Sequence, residues 1–173
     1  AMSILKIAKM GHPVLRKRSQ EIADPKSDSV KNLVDDMLET LEDIQGLGLA
    51  APQVHVSKRL VIFYSANEKS SEGDMSLNIL INPKIQPIGS EIVYDWEGCL
   101  SVPGLRGLVP RYKKIRYSGF NEEGVFFDKV VEGLHSRVVQ HECDHLDGVL
   151  YVQRIDKLEN LIFESEMKFY ENM

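Results

Sequence analysis

Residues 141–145 read His-Glu-Cys-Asp-His, so two imidazoles stand four positions apart with a carboxylate directly after the first. A helix turns about 100° per residue, which puts His141 and His145 about 40° apart on one face, where they can share a metal ion. Glu142 is one step round from that face, within reach of a water on the same metal. A hydrolytic site of this kind needs a third ligand and an open position. Cys99 offers that ligand, in the run Glu97-Gly98-Cys99-Leu100-Ser101-Val102-Pro103-Gly104. Flanking glycines and a proline suit a turn at a strand end, which can aim a thiolate and leave backbone N–H groups free. The combination points to a hydrolase that uses metal-bound water.

A third segment, Gly46-Leu47-Gly48-Leu49-Ala50-Ala51-Pro52-Gln53, has small residues that let a backbone approach a ligand closely, and Gln53 supplies a neutral amide donor. No Lys-Ser or Lys-Thr follows its glycines, so it is not a phosphate-cradling P-loop. Each segment alone also has a bland reading: a helix-surface ion pair at Glu142, a small buried hydrophobe at Cys99, a flexible connection at 46–53. Two other chemistries stay open. A zinc metallopeptidase would draw its third ligand from downstream, at Glu159, Glu164 or Glu166. A structural or regulatory metal module would use four protein ligands and keep no exchangeable water.

These groups must be positioned by a mixed set of elements. Val30, Leu33, Val34, Met37, Leu38, Leu41 and Ile44 follow the three-four spacing of an amphipathic helix, with caps at Ser27, Asp28 or Ser29 and a stop at Gly46. Apolar, β-branched runs predict strands near 60–64, 77–85, 91–94, 114–117 and 125–131, with Asn121-Glu122-Glu123-Gly124 as a hairpin turn. The polar stretch 65–76 reads as a loop. A second helix is predicted over 136–146, packed by Val138, Val139 and Leu146 and ended at Gly148. Leu158, Leu161, Ile162, Ser165 and Phe169 have the spacing of a C-terminal helix. The expected fold is α+β: antiparallel β-strands wrapped around a central metal-bearing helix, with an N-terminal amphipathic helix and a C-terminal helix. Short apolar runs leave strand order and register open.

At 173 residues the chain has the length of one compact catalytic domain, 1–173. Apolar content of 43% and charged content of 27% are ordinary for a globular protein. Twenty-one basic against 26 acidic side chains give a net charge of −5, which argues against nucleic-acid binding and a polybasic membrane dock. No apolar run approaches the ~20 residues of a membrane span, and the start lacks the apolar stretch of a secretory signal. Ala1 ahead of Met2 reads as an added residue. With one of two cysteines assigned to metal, a disulfide scaffold is not expected and a reducing compartment is.

In this order, the three blocks resemble the peptide deformylase family, which removes formyl groups from the N-terminal methionine of new proteins. The resemblance begins at Gly11-His12-Pro13-Val14-Leu15-Arg16 and runs through Leu146-Asp147-Gly148-Val149-Leu150-Tyr151. It implies that Cys99, His141 and His145 hold one divalent ion, Fe2+ in the family, with Zn2+, Ni2+ or Co2+ able to replace it in purified protein. Glu142 would take the water proton and later deliver it to the departing amine. The backbone N–H of Leu100 and the amide of Gln53 would meet the charge on the formyl oxygen. Backbone of Leu47, Gly48 and Gly98 would pair with the peptide in strand fashion, Arg106 would help hold it, and Leu134 and Val138 would wall the methionine pocket. Glu97 and Arg111 would form an ion pair steadying the cysteine turn.

The implied partner is a nascent polypeptide with N-terminal formyl-methionine, in the bacterial cytoplasm, with an organelle matrix as the alternative. Contact with the ribosome would be transient. Some members dock there through a basic C-terminal helix, whereas here Glu159, Glu164, Glu166 and Glu171 outnumber Lys168. Cys143 stands where the family usually has a larger apolar side chain. It lies about 200° round the helix from His141, facing away from the metal as core filler. His12, His55 and His135 have no partner pattern and are expected to be ordinary surface or loop residues.

Overall fold

The computed structural model of the chain describes residues 3–67 and 69–170. Ala1, Met2 and Glu171, read above from sequence alone, lie outside them. The first helix, α1, is Asp28–Ile44. The Ser27 side chain accepts the Val30 N–H at 3.3 Å, satisfying one of the donors that a helix start leaves unpaired. Val30, Val34, Met37 and Leu41 form its buried stripe. Its end is made by Gln45 rather than Gly46: Gln45 takes the left-handed conformation at φ 53°, and the Gly46 N–H reaches back to the Leu41 carbonyl.

Eight strands follow in two antiparallel sheets. The larger is ordered β1 (Gly48–Ala50), β2 (Leu60–Ala66), β3 (Met75–Pro87), β6 (Lys114–Phe120) and β7 (Phe126–Glu132). The smaller is ordered β4 (Ile92–Cys99), β5 (Val102–Tyr112) and β8 (Leu161–Phe163). The second helix, α2, is Gly133–Leu146. Side chains alternate across a strand, and β2 uses both faces. Leu60 and Ile62 join the core beneath α1, while Val61 and Phe63 join the core beneath α2 with Ile115, Tyr117, Val139, Cys143 and Leu146. The larger sheet is therefore sandwiched between the two helices. Cys143 lies in that second core, facing away from His141 and His145, and burial pushes its thiol pKa up.

The α+β class with antiparallel sheets agrees with the sequence-based expectation, but three elements do not. No C-terminal α-helix forms among the described residues. In its place, Leu161–Phe163 pairs with Leu105–Gly107 of β5 and is followed by a short 3-10 turn, Glu164–Phe169. The helix-like spacing had no surface to cover, since Leu158 and Phe169 are 75% and 68% exposed. The loop expected over 65–76 is shorter, because β2 runs on to Ala66 and β3 begins at Met75, paired with each other. β5 was not anticipated; its Pro103, Gly104, Gly107 and Pro110 read locally as turn, yet pairing with β4 holds it extended.

The C-terminal end of α2 is anchored by three donors from two residues. Its last carbonyl, Leu146, accepts the Ser19 N–H at 2.8 Å, the Ser19 hydroxyl at 3.1 Å and buried Arg59 at 2.9 Å. These donors satisfy a carbonyl left open by the helix and place positive charge at its negative end. Gly148 follows at φ 76°, packed so tightly that a Cβ would stand 2.6 Å from the Arg16 carbonyl carbon. α2 is thus held fixed along its axis. Among the described residues, no helix is long and apolar enough to cross a membrane.

Candidate metal centre and substrate cavity

Both sheets and both helices contribute to one cavity of about 580 Å3. Leu47 and Gly48 line it from the start of β1, and Gln53 from the 3-10 turn Ala51–Val54. Gly98, Cys99, Leu100 and Arg106 line it from the β4–β5 hairpin, and Leu134, Val138, His141 and Glu142 from α2. The helical period puts the α2 residues on one face, with Val139, Cys143 and Leu146 turned to the core. His145 is buried below the floor at 1% exposure.

The hairpin aims Cys99 by an irregularity. Glu97 pairs with Gly107 and Cys99 with Val102, so the register slips at Gly98 and the cysteine comes inward beside the helix. Its Sγ lies 3.4 Å from His145 Nε2, and one ligand atom each from Cys99, His141 and His145 fall within 4.8 Å of one another. Tetrahedral coordination with metal–sulfur near 2.3 Å and metal–nitrogen near 2.1 Å has ligand–ligand edges of roughly 3.6 Å, so this donor set fits a divalent ion. Two buried polar atoms beside it lack a protein partner, Glu142 Oε1 and His145 Nδ1. Cys99 and the two histidines are the metal-competent group of the described residues, whereas Glu164, a candidate ligand in the metallopeptidase reading, pairs with Arg106 instead.

Glu97 organises the groups behind the ligands. Arg111 donates to both its oxygens at 2.9 Å, Arg137 to Oε2 at 2.5 Å, and His141 Nδ1 meets Oε1 at 2.8 Å. Burial alone would raise the Glu97 carboxyl pKa, but hydrogen bonds from His141 and Arg111 outweigh it and hold the group well below its ordinary value. Fixing His141 Nδ1 in this way turns Nε2 towards Cys99. Burial also works against a proton on His141, but Cys99 and Glu97 reverse that and hold its pKa up; His145 is pushed down by burial and by the charge of His141. Arg111 continues to Asp144 at 2.6 Å, which Arg154 also grips at 3.0 Å.

Glu142 is 5% exposed, and burial raises its pKa to about 7. It sits against Gly48, where an added Cβ would come 2.6 Å from Oε2. Gln53 is oriented at both ends: its Oε1 accepts the Ala50 N–H at 2.9 Å, while Nε2 donates to Ser101 Oγ at 3.1 Å and approaches Cys99 Sγ at 3.5 Å.

A family profile described as polypeptide deformylase matches residues 4–161. The chain belongs to that family. A peptide deformylase of Bordetella pertussis is 49% identical over 154 residues, covering 88% of each chain, and one of Nitrosomonas europaea is 44% identical over 155 residues, again 88% of each. Among solved structures, a Met-Ala-Ser-bound class I type b peptide deformylase from Acinetobacter baumannii superposes with TM-score 0.81 at 34% identity, covering 90% of this chain and 100% of that one. An actinonin complex of the Synechococcus elongatus enzyme gives 0.80 at 34%, covering 90% and 81%. The chain is thus a deformylase, a metalloenzyme that hydrolyses the formyl-methionine amide of new peptides.

Sequence reasoning missed several groups in this deformylase. Arg137 braces Glu97, Val93 O and Val109 O from one turn before His141, Trp96 lines the cavity, and Glu164, expected only as a ligand in the metallopeptidase reading, lines it too. The four-residue spacing of Arg137 from His141 was the one available signal. His12 caps the turn Pro13–Arg16 by accepting the Val14 N–H at 3.1 Å. His135 is a first-turn residue of α2 beside the Tyr117 hydroxyl at 2.8 Å, not a loop residue.

Proposed function

We propose that Cys99, His141 and His145 hold one ferrous ion on α2, the central metal-bearing helix, and that Glu142 moves the proton in deformylation. The carrying observation is the convergence of one thiol and two imidazoles within 4.8 Å beside a buried carboxyl. When bound, the ion supplies Lewis acidity and a water acidified towards pKa ~7. Glu142, buried in the cavity lining with its Oε1 left without a protein partner, would take up the proton of the attacking water and return it to the departing amine.

Charge developing on the formyl oxygen is met by the Leu100 backbone N–H and the Gln53 amide. The Ala50–Gln53 hydrogen bond supports this role by fixing the amide before substrate arrives. Leu134 and Val138 form the methionine wall. Backbone at Leu47 and Gly48 on one side and Gly98 on the other pairs with the following residues, with Arg106 holding the peptide beyond them. The protein acts as one catalytic domain over 1–173 on nascent chains in a bacterial cytoplasm, and any contact with the ribosome is transient.

The test is Glu142→Gln. It should keep one metal ion per chain yet lose about 10²–10⁴ in turnover of formyl-Met-Ala-Ser, the usual worth of a positioned proton carrier. Near-normal turnover in the metal-loaded variant would end the assignment.

A further inference from the structure

The C-terminal segment is built into the rim of the cavity. β8 pairs Ile162 with Arg106 and Phe163 with Leu105, which carries the next residue, Glu164, to the side of the hairpin where the cavity opens. There Glu164 Oε1 lies 2.9 Å from Arg106 Nη2. A second contact repeats the arrangement: Tyr170, at the far end of the segment, meets the ring of Trp96 at 5.4 Å, and Trp96 is another cavity residue. The Arg106 side chain is held at two more points. Its Nη1 donates to the Leu105 carbonyl at 3.0 Å, and its guanidinium fills the space where Gly98 would carry a Cβ. Gly98 is therefore the residue over which this arginine must lie.

We infer that Glu164 is a positioning residue for substrate: it fixes the Arg106 guanidinium over Gly98, so that the remaining N–H groups of Arg106 face the peptide downstream of formyl-methionine. An unrestrained arginine samples many rotamers, and ordering it costs binding energy at the moment of association. A carboxylate that fixes the guanidinium in the free enzyme removes part of that cost. Arg106 is 32% exposed on its side chain and Glu164 is 56% exposed, so the pair is a modest restraint rather than a buried anchor. The effect belongs in substrate affinity, not in chemistry at the formyl carbon. This inference rests on the proposed role of Arg106 in holding peptide.

The experiment uses the full-length, metal-loaded enzyme and compares wild type, Arg106→Ala, Glu164→Gln and the double variant on formyl-Met-Ala-Ser. Arg106→Ala should raise KM by roughly tenfold, the worth of a charged hydrogen bond to peptide. Glu164→Gln should raise KM about two- to fivefold, the range of a half-exposed ion pair, with kcat within about twofold and an unchanged melting temperature. In the Arg106→Ala background, Glu164→Gln should add nothing.

An unchanged KM in Arg106→Ala would remove the peptide-holding role and the inference with it. A raised KM in Arg106→Ala with no change in Glu164→Gln would leave that role intact and overturn the inference alone. Additive effects in the double variant would overturn it, because Glu164 would then act without Arg106. So would a fall in kcat or melting temperature in Glu164→Gln, which would make the glutamate a general structural support.

Discussion

Gly48→Ala isolates the placement of Glu142 from its chemistry. The backbone tolerates the change, because Gly48 does not occupy the left-handed region that disfavours side chains. The new Cβ would stand 2.6 Å from Glu142 Oε2, 3.0 Å from Cδ and 3.1 Å from Cγ. Ordinary contact for carbon begins near 3.4 Å, so the carboxylate must retreat by about 0.8 Å. Glu142 is 5% exposed, so its side chain cannot swing freely out to solvent. A displacement of about 1 Å in a reacting group costs on the order of 10²-fold in rate, equivalent to about 2.7 kcal/mol on the barrier. Stability should change by less than about 1 kcal/mol, since alanine also reduces the freedom of the unfolded chain.

The assay is anaerobic formate release from formyl-Met-Ala-Ser, with metal analysis and a melting curve on the same sample. Metal content should remain at one ion per chain, because the collision does not involve Cys99, His141 or His145. The loss should appear in kcat. A change confined to KM would mean that the methyl group only disturbs peptide pairing along β1. A kcat within about threefold of wild type, with metal retained, would refute the claim that Glu142 must sit where Gly48 leaves room for it.

Two further predictions concern the scaffold. Gly148→Ala combines a left-handed φ of 76° with a Cβ 2.6 Å from backbone at Arg16, so urea unfolding should show a loss of at least about 2 kcal/mol; a loss below 0.5 kcal/mol would mean that the Arg16–Lys17 backbone yields easily. Glu97→Gln leaves two buried arginines short of a counter-charge and should cost about 3–5 kcal/mol at pH 7, with metal affinity down about 10–100-fold by competition with a chelator. The wild-type Glu97 carboxyl is held below its ordinary 4.5, so its contribution is complete above that pH and is lost as pH falls further. Urea midpoints in Glu97→Gln should therefore fall less steeply below pH 4.5 than in wild type, and parallel curves would count against the network.

What the sequence disclosed about the fold follows from where each pattern finds its partner. The α1 stripe is legible because Val30, Val34, Met37 and Leu41 meet a neighbouring sheet at the helical period, and Ser27 caps the start locally. The spacing of Leu158, Leu161, Ile162 and Phe169 is equally helical, but these residues find no helix-shaped groove. The free edge of β5 captures Leu161–Phe163 through backbone bonds that carry no side-chain signature. β5 is hidden for the converse reason: Gly104 at φ 82° and two prolines mark turn locally, while the bonds that make it a strand come from β4. Even the end of α1 follows this rule. Gly46 looks like the left-handed residue, yet Gln45 adopts that conformation, while a Cβ on Gly46 would press on the ends of the Leu41 and Leu100 side chains at 2.9 and 3.3 Å.

The site divides along the same line. Ligands four apart on a helix and a cysteine between glycines are short-range patterns whose chemistry can be read without the fold. The groups that tune them are not local. Glu97 joins Arg111 of β5 to Arg137 and His141 of α2, and no spacing in sequence foretells that one carboxylate will accept from all three. That hub also explains why an otherwise costly arrangement of buried charge is tolerated. Arg111 pairs with Glu97 and Asp144, Arg137 pairs with Glu97 and donates to the Val93 and Val109 carbonyls, and Glu97 also accepts from a histidine whose other nitrogen faces Cys99. Removing Glu97 should therefore weaken both stability and metal binding, whereas a purely structural ion pair would affect stability alone.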